Sequence, residues 1–297
     1  MAATVASDLS LPAPRDLGSY EFGPPCGVGG SSVVHVVRRT LDGRRFACKI
    51  VNADEYQTGL WEVDVMRRLA PHDGIMACVD AFQGRAPGAP FFGGSCDWGL
   101  PDRPPRVCIV TELMAGSDLL TAINARGGSL GEGDARRVMV RLLDAIGHVH
   151  RAGLMHRDIK LENVLVESPD DIARVRLADF GFAAVCDPGS SPSLTYQCGT
   201  PLYVAPEVIA AEPMYGNKAD MWSLGVALFM MLNGFSPFSC GDAERSRVPF
   251  DDPRCPGVSR EAEDLVRGLL KTDPAERLSA EEALSHPWIV TRKNGGR

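Results

Sequence analysis

The sequence has no paired C-x-x-C spacing, no apolar run long enough to cross a bilayer and no excess of basic charge. Its nine cysteines, at 26, 48, 78, 96, 108, 186, 198, 240 and 255, are odd in number and scattered. That argues against a disulfide framework or a zinc site and reads as reduced thiols. With 31 Lys and Arg against 38 Asp and Glu, the net charge is -7, which argues against broad attraction to nucleic acid or an anionic membrane. The opening stretch MAATVASDLSLPAPRD lacks a basic n-region and an uninterrupted apolar segment, and Ala2 stands where N-myristoylation needs glycine. Neither a signal peptide nor a lipid anchor is expected there. The most apolar run, Met221 to Leu232, ends at Asn233-Gly234 and predicts a buried core helix instead of a membrane span. A cytosolic or nuclear location follows. Internal repeats, coiled-coil heptads and EF-hand loops are also lacking.

What is present is enough to fold. At 297 residues and 44% apolar content the chain can bury a full core as one large or two modest domains. From Tyr20 to about Val51, β-branched runs such as VVHVV and FACKIV alternate with glycine and charged turns, which predicts an antiparallel meander. In WEVDVMRRLA the apolar residues Val63, Met66, Leu69 and Ala70 recur at helical spacing. Further strands are expected near Met76 to Phe82 and Arg106 to Glu112. The Gly- and Pro-rich stretch Gln83 to Pro105 between them reads as a long inserted loop. Beyond Asp118 the pattern is mainly helical, with periodic stretches at Asp134 to Arg151, Ala219 to Leu232, Arg260 to Leu270 and Ala280 to Ala283. The expected architecture is a small β-rich lobe followed by a larger α-rich lobe.

Four groups of residues carry chemistry. The turn Cys26-Gly27-Val28-Gly29-Gly30-Ser31-Ser32-Val33-Val34 lies between two strands, where small residues let backbone N–H groups approach phosphate oxygens. A dinucleotide fingerprint would open a helix here, yet a β-branched run follows. In Phe46-Ala47-Cys48-Lys49, strand alternation puts Ala47 and Lys49 on one face. Glu62, one turn before Met66, is the candidate partner for Lys49, ahead of Glu55 and Asp64. The sharpest signal is His156-Arg157-Asp158-Ile159-Lys160-Leu161-Glu162-Asn163, followed by Asp179-Phe180-Gly181. Phosphoryl transfer needs an acceptor oriented on the attacking hydroxyl, metal ligands beside the phosphates, and cations where negative charge accumulates. Asp158 is the candidate for the first, Asn163 and Asp179 for Mg²⁺, and Lys160 for the last. A chosen tripeptide occurs by chance in such a chain only about 0.04 times. Here His156-Arg157-Asp158, Asp179-Phe180-Gly181 and Ala205-Pro206-Glu207 occur in order.

On these motifs the chain resembles the eukaryotic protein kinase family over roughly Tyr20 to Ile289. The resemblance implies an α+β two-lobed fold: an antiparallel sheet with one main helix (about 20–114), a mainly helical lobe (about 115–289), and tails at 1–19 and 290–297. ATP and Mg²⁺ are implied between the lobes, with Lys49 paired to Glu62. Thr111 would be the gatekeeper, the backbone of Glu112 and Met114 would face adenine, Asp118 would lie near the ribose, and Val34, Ala47 and Leu165 would sandwich the ring. Met66, His156 and Phe180 would stack, Glu207 would pair with Arg277, and Asp220 would anchor the catalytic loop. Lys160 and Gly199-Thr200-Pro201 resemble the serine/threonine class. The wording from Cys198 to Glu207 and the ending Asp273-Pro274 to His286-Pro287-Trp288 resemble the calcium/calmodulin-dependent group and its calcium-dependent relatives. No calmodulin-binding helix or calcium module is expected after Ile289.

Departures from the family pattern qualify this. Ser32 replaces the third glycine of the phosphate loop and Cys26 replaces a larger aliphatic residue, which predicts weaker ATP binding. Thr195 and Tyr196 stand where related kinases are phosphorylated, with Arg157 the expected partner of such a phosphate. No amphipathic helix is legible after Pro237-Phe238. The resemblance implies protein substrates, and Asp118 and Glu162 suggest basic residues before the phosphoacceptor. A pseudokinase or scaffold would have lost at least one of Lys49, Asp158, Asn163 and Asp179, and none is lost. A small-molecule phosphotransferase would lack the segment from Gly199 to Glu207.

Overall fold

The computed structural model describes residues 19–84, 106–186, 193–239, 245 and 247–290. The tail at 1–18, nearly all of the expected inserted loop and the tail from 291 lie outside the described residues. The chain divides into two units, one within Met1–Pro71 and Met76–Leu113, the other within His72–Ile75 and Met114–Arg297.

In the first unit, strands β1 (Tyr20–Val28), β2 (Ser32–Arg39), β3 (Arg45–Val51), β4 (Cys78–Gly84) and β5 (Arg106–Glu112) form one antiparallel sheet in the order β1-β2-β3-β5-β4. Strand alternation in β3 buries Phe46, Cys48 and Ile50 and leaves Ala47 and Lys49 half-buried on the other face. Tyr20 of β1 stacks on Phe82 of β4 at 5.8 Å and donates to Asp80 at 3.2 Å, so the two edge strands curl toward each other. Pro24 and Pro25 have no N–H to give the ladder, and the β1–β2 register shifts on either side of Pro25. Helix α1 (Tyr56–Leu69) turns Leu60, Val63, Met66 and Leu69 inward, which includes Val63, Met66 and Leu69 of the expected stripe, whereas Ala70 lies just past the helix end with extended backbone and is exposed. At Gly59 a Cβ would sit 2.9 Å from the Val107 side chain, so only glycine permits this approach.

The second unit contains α2 (Leu119–Asn124), α3 (Glu132–Arg151), α4 (Pro206–Ile209), α5 (Lys218–Asn233), α6 (Arg260–Leu269), α7 (Ala280–Leu284) and α8 (Pro287–Val290). Between α3 and α4 lie two small ribbons, β6 (Leu154–Met155) with β9 (Ala184–Val185), and β7 (Val164–Ser168) with β8 (Asp171–Leu177). Periodicity had indicated α3, α5, α6 and α7. The ribbons and the helices α2, α4 and α8 are too short to show a period, and they add to the mainly helical pattern expected. Helix α5 is buried almost all round and stops at Gly234, whose φ of +80° is a left-handed cap that glycine adopts without strain. Among the described residues no helix lies between Asn233 and Arg260. No helix of the described residues is long and apolar enough to cross a membrane.

One side chain ties three of these helices together. Glu132, at the start of α3, accepts 2.7 Å bonds from Ser259 N, Ser259 Oγ and Trp288 Nε1. Burial pushes its carboxyl pKa up, but the Trp288 and Ser259 bonds outweigh this and hold it below the ordinary 4.5. A depressed folded-state pKa means that the stabilisation is complete above about pH 5 and is lost as pH falls through the folded value. Glu132→Gln should therefore lower the melting midpoint at pH 7, with the gap to wild type closing in thermal scans as pH falls through the folded-state pKa. A gap independent of pH would show that the charge contributes nothing.

Candidate active site

The first unit supplies a cation. Register places Val34 opposite Lys49, and Ala47 opposite Thr111, so all four share the sheet face away from the Cys48, Ile50, Cys108 and Val110 core. Lys49 Nζ reaches Glu62 Oε1 at 2.9 Å and Oε2 at 2.8 Å, with the Glu62 side chain only 4% exposed. Each weaker candidate has a partner of its own: Glu55 accepts from Thr58 at 2.8 Å, and Asp64 pairs with Arg68 at 2.6 Å.

The β1–β2 turn is held by Gly29 N to Ser32 O at 2.9 Å and, from the end of β3, by Asn52 N to Ser31 O at 2.8 Å. Gly27, Gly29 and Gly30 all have negative or extended φ, and a Cβ on any of them would meet nothing closer than 3.6 Å. The chain's own packing does not require these glycines. A backbone cradle kept clear of side chains fits a phosphate group. Cys26 is exposed and its thiol reaches Val34 O at 3.6 Å, while Ser32 is buried as the first residue of β2.

In the second unit the loop after β6 is suspended from one carboxylate. Asp220 of α5 accepts from His156 N, Arg157 N and His150 Nε2, each at 2.9 Å. Burial raises the Asp220 pKa, yet the His150 bond and the donors of the loop bring it below its ordinary value, so it holds its charge. Arg157 is thereby kept at φ +70°, in the left-handed region.

Asp158 follows, 5% exposed. Its Oδ2 accepts from Lys160 Nζ at 2.7 Å and Asn163 Nδ2 at 3.0 Å, and its Oδ1 from Thr200 Oγ1 at 2.7 Å. Lys160 also reaches Thr200 Oγ1 at 2.9 Å, closing a ring of side chains. Asp158, Lys160 and Asn163 were read from the sequence. Thr200 was legible only as part of Gly199-Thr200-Pro201, and its bond to Asp158 needs the chain to return after more than forty residues.

The β7–β8 ribbon places the metal-ligand candidates. Val164 pairs with Leu177, so Asn163 and Asp179 flank one end of the ribbon, with Ala178 N bonded to Asn163 O at 2.8 Å. The Asn163 amide N donates to Asp158, which leaves its amide oxygen as the donor for a cation. Asp179 sits at φ +63° and accepts from Gly181 N at 3.4 Å. Among the described residues no group of three or more His, Cys, Asp or Glu could hold a metal. An amide and a carboxylate oxygen alone suit Mg²⁺, which keeps several of its waters.

Other expected residues are placed as follows. His156 and Phe180 meet at 4.8 Å between ring centroids, and Arg277 pairs with Glu207 at 2.6 and 3.0 Å. Asp118 caps α2 through Thr121 N at 2.9 Å and Thr121 Oγ1 at 2.7 Å, a structural use that the sequence did not suggest. Glu162 is exposed and accepts from Tyr203 OH at 3.3 Å. Thr111 donates to Glu112 O at 3.3 Å, Met114 is half-buried, and Leu165 bridges to Asp118. Arg157 donates to Phe182 O at 2.5 Å and lies 4.7 Å over the Tyr196 ring, while Thr195 is exposed beside it.

The model of the protein kinase domain matches residues 20–289. Myosin light chain kinase A of Dictyostelium discoideum is 33% identical over 93% of this chain and 89% of its own length. Serine/threonine-protein kinase H1 of Homo sapiens is 33% identical over 94% of this chain and 63% of its own. CDPK-related kinase 1 of Arabidopsis thaliana is 32% identical over 93% of this chain, which spans only 45% of that relative. The chain belongs to the protein kinase family, in its serine/threonine class.

Removing the Asp220 carboxylate tests the suspension. Asp220→Asn cannot accept three bonds, and a buried donor left unsatisfied costs about 2 kcal/mol. The variant should melt at a lower temperature and lose most of its phosphotransfer. A variant matching wild type in both would remove Asp220 from this role.

Proposed function

We propose that the chain transfers the γ-phosphate of ATP to a serine or threonine hydroxyl of a protein substrate, with Asp158 orienting that hydroxyl and accepting its proton. The observation that carries this reading is the convergence of Lys160, Asn163 and Thr200 on the Asp158 carboxylate. Three donors lock its rotamer, so the oxygen that receives a proton is already aimed. Lys160 supplies positive charge beside the acceptor, where the moving phosphoryl group carries negative charge. Lys49, steadied by Glu62, contributes a second cation for the nucleotide phosphates, and the turn from Gly27 to Ser32 offers backbone N–H groups. Asn163 and Asp179 would hold Mg²⁺, which when bound neutralises phosphate charge. Val34, Ala47, Thr111, Leu165 and the backbone of Glu112 and Met114 would contact the adenine.

Radiolabelled transfer from ATP to a peptide library tests this. Asp158→Asn should lower turnover by about 100-fold or more, the share that positioned acid–base groups contribute. Equal background from wild type and variant would leave a scaffold. Exposed Glu162 supports a preference for Arg or Lys before the phosphoacceptor. No enrichment of those residues in the same library would remove that part.

Ser32 closes the phosphate turn as the first residue of β2, where glycine gives the closest backbone approach. Ser32→Gly should lower the KM for ATP, and an unchanged KM would show that the serine is no hindrance.

A further inference from the structure

Arg245 is a large cation, 3% exposed, in a stretch where the described residues form no helix. Its backbone is left-handed at φ +45°, a conformation that a non-glycine residue keeps only when its surroundings hold it. Nη2 donates to Pro201 O at 2.5 Å, and Nη1 donates to Val204 O. The same guanidinium lies 5.8 Å over Phe238, Phe238 stacks on Trp222 at 5.3 Å and 15°, and Arg277 lies 5.1 Å over Trp222. Arg245 is therefore one end of a column whose other end is the Arg277–Glu207 pair.

The two carbonyls it grips have a particular position. They belong to the turn directly after Thr200, whose hydroxyl bonds Asp158. Two further groups of that turn are tied: Tyr203 N to Thr200 O at 2.9 Å, and Ser223 Oγ to Tyr203 O at 2.9 Å. Consecutive substrate residues lie about 3.8 Å apart. A residue next to one whose hydroxyl sits on Asp158 is therefore within reach of the turn that follows Thr200.

We propose that Arg245 is a positioning residue for the protein substrate: by gripping the Pro201 and Val204 carbonyls it fixes a wall that reads the residue beside the phosphoacceptor. This rests on the kinase reading above. Arg245 acts through the turn and does not contact the reacting atoms. Without that grip the turn keeps its ties to Thr200 and Ser223 but loses those at the Pro201 and Val204 carbonyls, and substrate affinity and selectivity would suffer before nucleotide binding does.

The test uses the full chain and the library peptide that wild type modifies best. Charge-assisted hydrogen bonds to two carbonyls are lost in Arg245→Met, which should raise the KM for that peptide roughly tenfold or more. The KM for ATP should stay near wild type, and discrimination at one of the two positions flanking the acceptor should flatten. Arg245→Lys, which keeps one donor, should fall between the two, and it decides the matter if the methionine variant does not fold. Either folded variant showing an unchanged peptide KM, or peptide and ATP KM values that rise together, overturns the assignment. A wild-type chain that transfers no phosphate sinks the kinase reading and this one with it, whereas an active wild type with indifferent variants sinks this one alone.

Discussion

A single buried charge, the carboxylate of Asp220, holds the chemistry-bearing loop of the second unit in place. Burying an isolated carboxylate costs several kcal/mol, and only donors that satisfy it make the arrangement tolerable. Three do so at 2.9 Å: two backbone N–H groups of the loop and His150. The dependence is mutual, since His156 and Arg157 N–H groups would be costly orphans without Asp220. That reciprocity gives the loop one low-energy conformation and keeps Arg157 left-handed at φ +70°, which unaided would cost about 1–3 kcal/mol.

The helix carrying Asp220 can serve several neighbours because it is buried on nearly every side. Positions advance by about 100° per residue around a helix. Asp220 and Ser223, three residues apart, therefore leave α5 on one side, and Trp222 leaves it on nearly the opposite side from Asp220. Asp220 meets the loop, Trp222 enters the aromatic column with Phe238 and Arg277, and Ser223 donates to Tyr203 O at 2.9 Å. An amphipathic helix with a solvent face could not do this. The loop that carries Asp158 and the Tyr203 carbonyl of the following turn are thus both tied to one helix.

What the sequence disclosed follows from the range of the interactions concerned. Alternation in β3 and the stripe of α1 are local, so Lys49 and Glu62 could be matched from spacing. The helices α3 and α5 to α7 were legible through periodicity or apolar content, as was the core character of Met221 to Leu232. Two-residue strands such as Leu154–Met155 have no period to detect. The β7–β8 ribbon left only the run Val164-Leu165-Val166 as a trace, and yet it brings Asn163 and Asp179 to one end. Glu132 carried no local signal at all, because its partners Ser259 and Trp288 lie 127 and 156 residues further on. Arg245 was equally silent, since two carbonyl acceptors leave no mark in composition or pattern.

The Lys49–Glu62 pair bears on why such arrangements persist. A buried ion pair is a poor stabiliser: replacing both groups by well-packed apolar side chains is often neutral or favourable, because desolvation consumes the Coulomb gain. Glu62 at 4% side-chain exposure and Lys49 at 19% lie well inside that regime. Val63 and Met66 on the same helix show that apolar residues are readily accommodated around it. Stability therefore gives no reason for charge at these two positions. A cation held at a defined place by two carboxylate oxygens, on the half-buried face of β3 with Val34 and Ala47, is instead what the proposed nucleotide phosphates would call for.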